Sequence, residues 1–67
     1  MGTRISCKDG WLYVVDESVA EVQAILDSGA QHTFLPWAAY KSGHEVDDPE
    51  PVVLSRLVVT MLASTEA

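Results

Sequence analysis

Sixty-seven residues supply one small domain over 1-67, because a chain this short buries only about 60% of the surface its unfolded form exposes. Hydrophobic residues at 48% and charged residues at 21% exclude a disordered tail, and a single cysteine, Cys7, excludes an intramolecular disulfide and a Cys-rich metal knuckle. Ten acidic side chains against four basic ones give a formal charge of −6, which repels phosphate backbones and argues against direct nucleic-acid binding. With no signal-peptide pattern and no apolar run of about 18 residues, the expectation is a cytoplasmic protein that does not enter a membrane.

Thr3 to Lys8 and Trp11 to Val15 are β-prone runs separated by Asp9-Gly10, a dipeptide suited to a two-residue hairpin turn. Closing the hairpin there pairs Cys7 with Leu12, Ser6 with Tyr13, Ile5 with Val14 and Arg4 with Val15. The period of two then sends Ile5, Cys7, Leu12 and Val14 to one face. Arg4, Ser6, Lys8, Trp11, Tyr13 and Val15 share the other, an unusual mixture of aromatics and cations. That face is either a binding surface or one covered by a later segment or another subunit.

Ser18 followed three residues later by Glu21 is a capping-box pattern, and Val19, Val22, Ile25 and Leu26 recur at helical spacing. Gly29 provides a left-handed terminator, so a helix is predicted over about 18–28. His32 to Leu35 reads as extended, and Pro36 puts any continuation through Trp37 to Tyr40 at a sheet edge or forces a turn. Trp37 and Tyr40 form either an aromatic patch or part of a small core. The stretch from Lys41 to Pro51 has no periodic apolar face and reads as an exposed acidic loop. Val52 to Ala63 favours strand, with Ser55 and Arg56 marking a bulge or turn between two halves; a helix is the competing reading.

Two resemblances attach to particular segments. A-I-L-D-S-G-A-Q-H-T-F-L, residues 24 to 35, resembles the active-site segment of retroviral-type aspartic proteases. The resemblance implies that Asp27 shares a proton with its counterpart across a dimer axis and activates a water. The same residues also read as a helix end capped by Gly29, which is the reading adopted; Val52 to Ala63 lacks the glycine that the protease pattern places after its last apolar pair. T-R-I-S-C-K-D-G-W-L-Y-V-V-D-E-S-V-A-E-V, residues 3 to 22, resembles the strand-turn-strand-helix unit of small flagellar regulators of the FlbD type. P-V-V-L-S-R-L-V-V-T-M-L, residues 51 to 62, is similar in outline to another strand pair of that family, in permuted order. The layout is also similar to small proteins encoded by actinobacteriophages. These likenesses imply a fold and bring no catalytic residues with them.

Other constellations carry less. Cys7 with His32 or His44 suggests a nucleophile and base, but the hairpin points Cys7 inward as a small apolar filler. His44, Glu45, Asp47, Asp48 and Glu50 offer metal-ligating atoms, yet Pro49 interrupts them and no calcium-loop spacing is present. No metal and no cofactor is implied. The expected fold is α+β, a small antiparallel sheet with one helix on one face, its core formed by Ile5, Leu12, Val14, Val22, Ile25, Leu26, Phe34, Leu54, Val58 and Met61. The expected function is a non-enzymatic interaction module, phage-encoded in one version, that binds itself or a protein partner through Trp11, Tyr13, Arg4 and Lys8, with the acidic loop tuning partner choice. Because so small a core is marginal, the Val-rich C-terminal strand or the Trp11 face is expected to pair in a homo-oligomer. The alternatives are a minimal dimeric protease using Asp27 and an acidic mimic of nucleic acid.

Overall fold

Chain reversal at Lys8-Asp9-Gly10 builds the first hairpin, β1 (Thr3–Cys7) and β2 (Trp11–Val15), in the computed structural model, which describes residues 2–29 and 31–65. A two-residue turn on Asp9-Gly10 would require positive φ at both residues. Instead the loop has three residues, and within it only Gly10 takes the left-handed conformation, at φ 89°. The Gly10 N–H donates to the Cys7 carbonyl at 3.3 Å, and the Asp9 carboxylate accepts from the Trp11 N–H at 3.3 Å.

The longer loop moves the register by one residue from the expected pairing. Thr3 now faces Val15, Arg4 faces Val14, Ile5 faces Tyr13 and Ser6 faces Leu12. A one-residue slip exchanges the faces of one strand relative to the other. Ile5 and Cys7 therefore share a face with Trp11, Tyr13 and Val15, while Arg4 and Ser6 share the opposite face with Leu12 and Val14.

Helix α1 (Val19–Ser28) begins at Ser18, whose hydroxyl accepts from the Glu21 N–H at 3.2 Å while the Glu21 carboxylate accepts from the Ser18 N–H at 3.5 Å. Its end is closed by Gly29 at φ 73°, with the Gly29 N–H donating to the Leu26 carbonyl. Ala30 of the D-S-G-A tetrapeptide lies outside the described residues. Strand β3 (Thr33–Phe34) follows, and buried Pro36 marks where the chain leaves it for β4 (Ala38–Lys41). Strand β4 is hydrogen-bonded on both sides, so Pro36 acts as a turn between strands and not as part of an edge. Ser42 and Gly43, at φ 51° and 84°, make a two-residue hairpin turn into β5 (His44–Glu45), where an uninterrupted loop was expected. The irregular acidic segment starts only at Val46.

Strand β6 (Val52–Val53) and β7 (Val59–Ser64) are separated by a turn in which the Val58 N–H donates to the Ser55 carbonyl at 3.1 Å. The break at Ser55-Arg56 thus divides two strands. Strands β5, β4, β2, β1 and β7 form one antiparallel sheet in that order, and β3 pairs with β6 in a second. With one helix, this is a small α+β fold. Among the described residues no helix is long and apolar enough to cross a membrane.

Ile5, Val15, Val22, Leu26, Phe34 and Leu54 form the buried core, flanked by half-buried Cys7, Tyr13, Ile25, Val59 and Leu62. Val15, assigned to the outer face by the expected register, is fully buried, as is Thr3, whose hydroxyl donates to the Glu17 carbonyl at 2.8 Å. Leu12 and Val14 lie on the opposite face of the sheet, where Val14 is buried and Leu12 half-buried. Val58 and Met61, expected inside, are exposed by 41% and 59%. Their places are taken by Val59 and Leu62, because a bulge in β7 opposite Ser6 and Cys7 shifts the alternation there.

The cap makes a quantitative prediction. Ser18→Ala removes the acceptor for the Glu21 N–H and should lower unfolding stability by about 1 kcal/mol in urea titration, whereas Ser28→Ala at the far end should cost less. Equal effects at the two ends would show that the capping box does not anchor the helix.

Candidate functional site

The aromatics of β2 project from the helix-facing side of the sheet, with Tyr13 packed against the flank of the core. Alternation puts Trp11 and Tyr13 on the same side two residues apart, and their rings stack with centroids 5.5 Å apart and planes 1° from parallel. Lys41 faces Trp11 across the β2–β4 ladder. Its ammonium lies 5.2 Å from the Trp11 ring centroid and donates to the Asp9 carbonyl at 2.8 Å. The indole therefore already carries one cation, held by the ring's negative face.

Over this stack folds the segment that leaves β5. The Val46 N–H donates to the Ala39 carbonyl at 2.8 Å, which continues the β4–β5 ladder by one pair and fixes the start of the loop beside β4. Asp48, at φ 52°, bends it, and Pro49 and Pro51 stiffen its return toward β6. The result is a cleft of about 310 Å³ with Trp11, Tyr13 and Ala39 as floor and Asp47, Asp48 and Glu50 among its walls. An aromatic floor beneath carboxylates favours a cationic occupant on both counts, through the ring quadrupoles and through Coulomb attraction.

Of the four residues expected to form a partner site, Trp11 and Tyr13 meet in this cleft and the two cations do not. Arg4 lies on the opposite face of the sheet, beside Leu12, Val14, Trp37 and Tyr40. Lys8 is an exposed residue of the hairpin loop whose N–H donates to the Val58 carbonyl at 2.9 Å. The register shift is the physical cause, since it separates Arg4 from the aromatics of β2. Ala39 and Val46, which line the cleft, and Lys41, which lies over the Trp11 ring, were missed. The Ser42-Gly43 turn was the available signal, because a tight hairpin there sets Lys41 next to β2 and returns the acidic residues over it.

Asp27, the aspartate of the protease-like segment, is on the last turn of α1. Its carboxylate accepts from the Gln23 amide at 3.0 Å and lies 3.7 Å from the Arg56 guanidinium, with both charged side chains at least half exposed. The protease resemblance implies an extended strand entering the aspartate, and residues 19–28 are helical. Among the described residues no three His, Cys, Asp or Glu side chains gather as metal ligands. No protein-family model, no curated protein and no solved structure matches the chain.

Cys7 lies on the same face as Tyr13, half-buried against the core. Burial pushes its thiol above the ordinary range, and the neighbouring Asp9 charge adds to this. Burial likewise raises the Tyr13 phenol, with smaller contributions from Cys7 and Asp9. A thiol held protonated is a poor nucleophile, in keeping with a packing role.

Both groups keep their protons in the folded chain at a pH where the unfolded chain releases them. Their contribution to stability is intact below the ordinary thiol range and is lost as pH rises through the raised folded values. Urea titrations at increasing alkaline pH should therefore show falling stability, with a shallower fall in Cys7→Ala. Parallel slopes for the two proteins would remove Cys7 from this account.

Proposed function

We propose that this chain is a non-enzymatic protein-interaction module whose Trp11–Tyr13 cleft takes a basic side chain, lysine or arginine, from a segment of a partner protein. The observation that carries this reading is the stacked Trp11–Tyr13 pair in a cleft whose lining also includes Asp47, Asp48 and Glu50. A cation over an indole contributes about 0.5–1 kcal/mol where exposed and about 2 kcal/mol when desolvated. Exposed carboxylates add up to about 1 kcal/mol each. One such contact gives a weak complex, so specificity would come from the rest of the partner's segment lying along the loop. The loop sets which flanking residues are accepted, and its proline-stiffened path limits the ordering cost of binding.

The distribution of charge supports the reading. With a formal charge of −6, the chain attracts basic partners over the range of a Debye length and speeds their encounter. Tyr13 stacks on the Trp11 ring and Lys41 already lies over it, so a ligand cation takes over the position held by Lys41.

The test is titration of the full chain with a blocked Gly-Arg-Arg-Gly peptide, followed through the indole N–H resonances of Trp11 and Trp37. The Trp11 signal should move and saturate in the millimolar range, Asp47→Asn with Asp48→Asn should weaken binding about 5-fold or more, and added salt should weaken it further. A Gly-Glu-Glu-Gly peptide should produce no shift. Movement of Trp37 alone, or equal shifts with both peptides, would place recognition elsewhere or remove it.

A further inference from the structure

The two edges of the five-stranded sheet are unlike. On one side β5 has two residues, His44 and Glu45, and ends at once in the acidic segment. Short, charged edges resist further pairing. On the other side β7 runs for six residues, Val59–Ser64, is the terminal strand of the sheet among the described residues, and contains no ionisable side chain and no proline. Helix α1 flanks this edge, and a groove of about 370 Å³ runs between Val19, Gln23 and Leu26 of the helix and Val59 to Leu62 of the strand.

We infer that the β7 edge is the contact by which two copies of this chain pair, antiparallel about a two-fold axis near Leu62, into one continuous sheet. Thr65 donates its N–H to the Gly2 carbonyl, so alternation turns the backbone groups of Ala63 and Met61 toward β1 and those of Leu62 away from it. Centring the axis on Leu62 lets its N–H and carbonyl meet those of the second copy's Leu62. That register keeps equivalent faces of the two sheets together, with Met61 beside the second copy's Ala63. Met61 is 59% exposed in the single chain.

Charge decides in favour of a second copy. Two molecules of charge −6 repel wherever acidic surfaces meet. The β7 strand carries no charge, and Arg56, the one charged side chain lining its groove, sits 3.7 Å from Asp27. A basic or acidic foreign strand would find no counter-charge along β7 itself, whereas β7 of another copy is likewise uncharged. Leu57, Val58 and Met61, all exposed, cluster at or just before this strand. Two-fold pairing also brings the flanks of the two helices together over the joined edges, adding side-chain contact to the ladder.

Analytical ultracentrifugation of the full chain should give twice the 7.3 kDa chain mass at high concentration, with dissociation on dilution. The Leu62 amide should exchange more slowly in the dimer than in the diluted chain. Met61→Lys sets like charges close together at the axis and should weaken pairing about 10-fold or more, while its circular dichroism stays that of the parent. The Met61→Lys chain should still bind the arginine peptide, since Met61 is not part of the aromatic cleft, so failure of this inference and failure of the proposed function are distinguishable. A monomer at about 500 µM would overturn the inference. So would a dimer that tolerates Met61→Lys or leaves the Leu62 amide unprotected.

Discussion

The left-handed conformation of Gly10 sets the geometry on which the remaining structure depends. By absorbing positive φ alone, it allows Lys8-Asp9-Gly10 to close the hairpin with three residues and fixes Ile5 opposite Tyr13. From that register follow the burial of Ile5 and Val15 against Val22, Leu26 and Phe34, and the projection of Trp11 and Tyr13 beside the same core. A strand face shared by core and cleft means the aromatic floor rests on a rigid support. The acidic roof comes from a connecting segment, where sequence change is tolerated far better than in the sheet.

The helix was fully legible because its signals are local. Ser18, Glu21 and Gly29 each satisfy or terminate backbone groups within one turn, and no distant contact is needed to interpret them. The break at Ser55-Arg56 was legible for a similar reason, as polar residues interrupt an apolar run. The hairpin was visible in place but not in register. Asp-Gly fits both a two-residue loop and the end of a three-residue loop, and the choice rests on whether Asp9 must take positive φ. Parity amplifies this small local choice, so one residue of loop moved Arg4 away from the aromatics and turned Leu12 and Val14 to the sheet face opposite Ile5, where Val14 is still buried. The Ser42-Gly43 hairpin was hidden by its setting, since the acidic residues beyond it suppress any apolar periodicity. For the candidate site, the aromatic pair could be read from β2 alone, whereas its roof and Lys41 required knowledge of how β4 and β5 return.

The acidic loop and the exposed apolar residues near β7 lie at different ends of the sheet order. Asp47, Asp48 and Glu50 gather over the Trp11–Tyr13 floor, and Glu45 blunts the β5 edge. Leu57, Val58 and Met61 are exposed at the opposite end of the sheet order, near an edge strand free of charge. In a chain of 67 residues, with a core built around six buried side chains, so much apolar surface is a large share of what burial could contribute. The bulge in β7 sharpens the contrast by turning Val59 and Leu62 inward while leaving Met61 outside.

The separation of these two regions has a mechanical consequence. Strand β1 lies between β2, which carries the cleft floor, and the β7 edge, and both β2 and β1 are held by ladders on each side. Interiors packed at crystal-like density transmit displacement poorly unless an element has two arrangements, and the central strands offer no second register without reversing every buried side chain. Contact at the edge would therefore leave the aromatic floor unchanged and act on the cleft chiefly by number, presenting two equivalent sites on one continuous sheet. A partner with two basic segments at matching separation would gain by effective concentration what a single weak cation contact lacks. In that arrangement weak individual sites are an advantage, because discrimination then rests on the spacing of the partner's segments as well as on their charge.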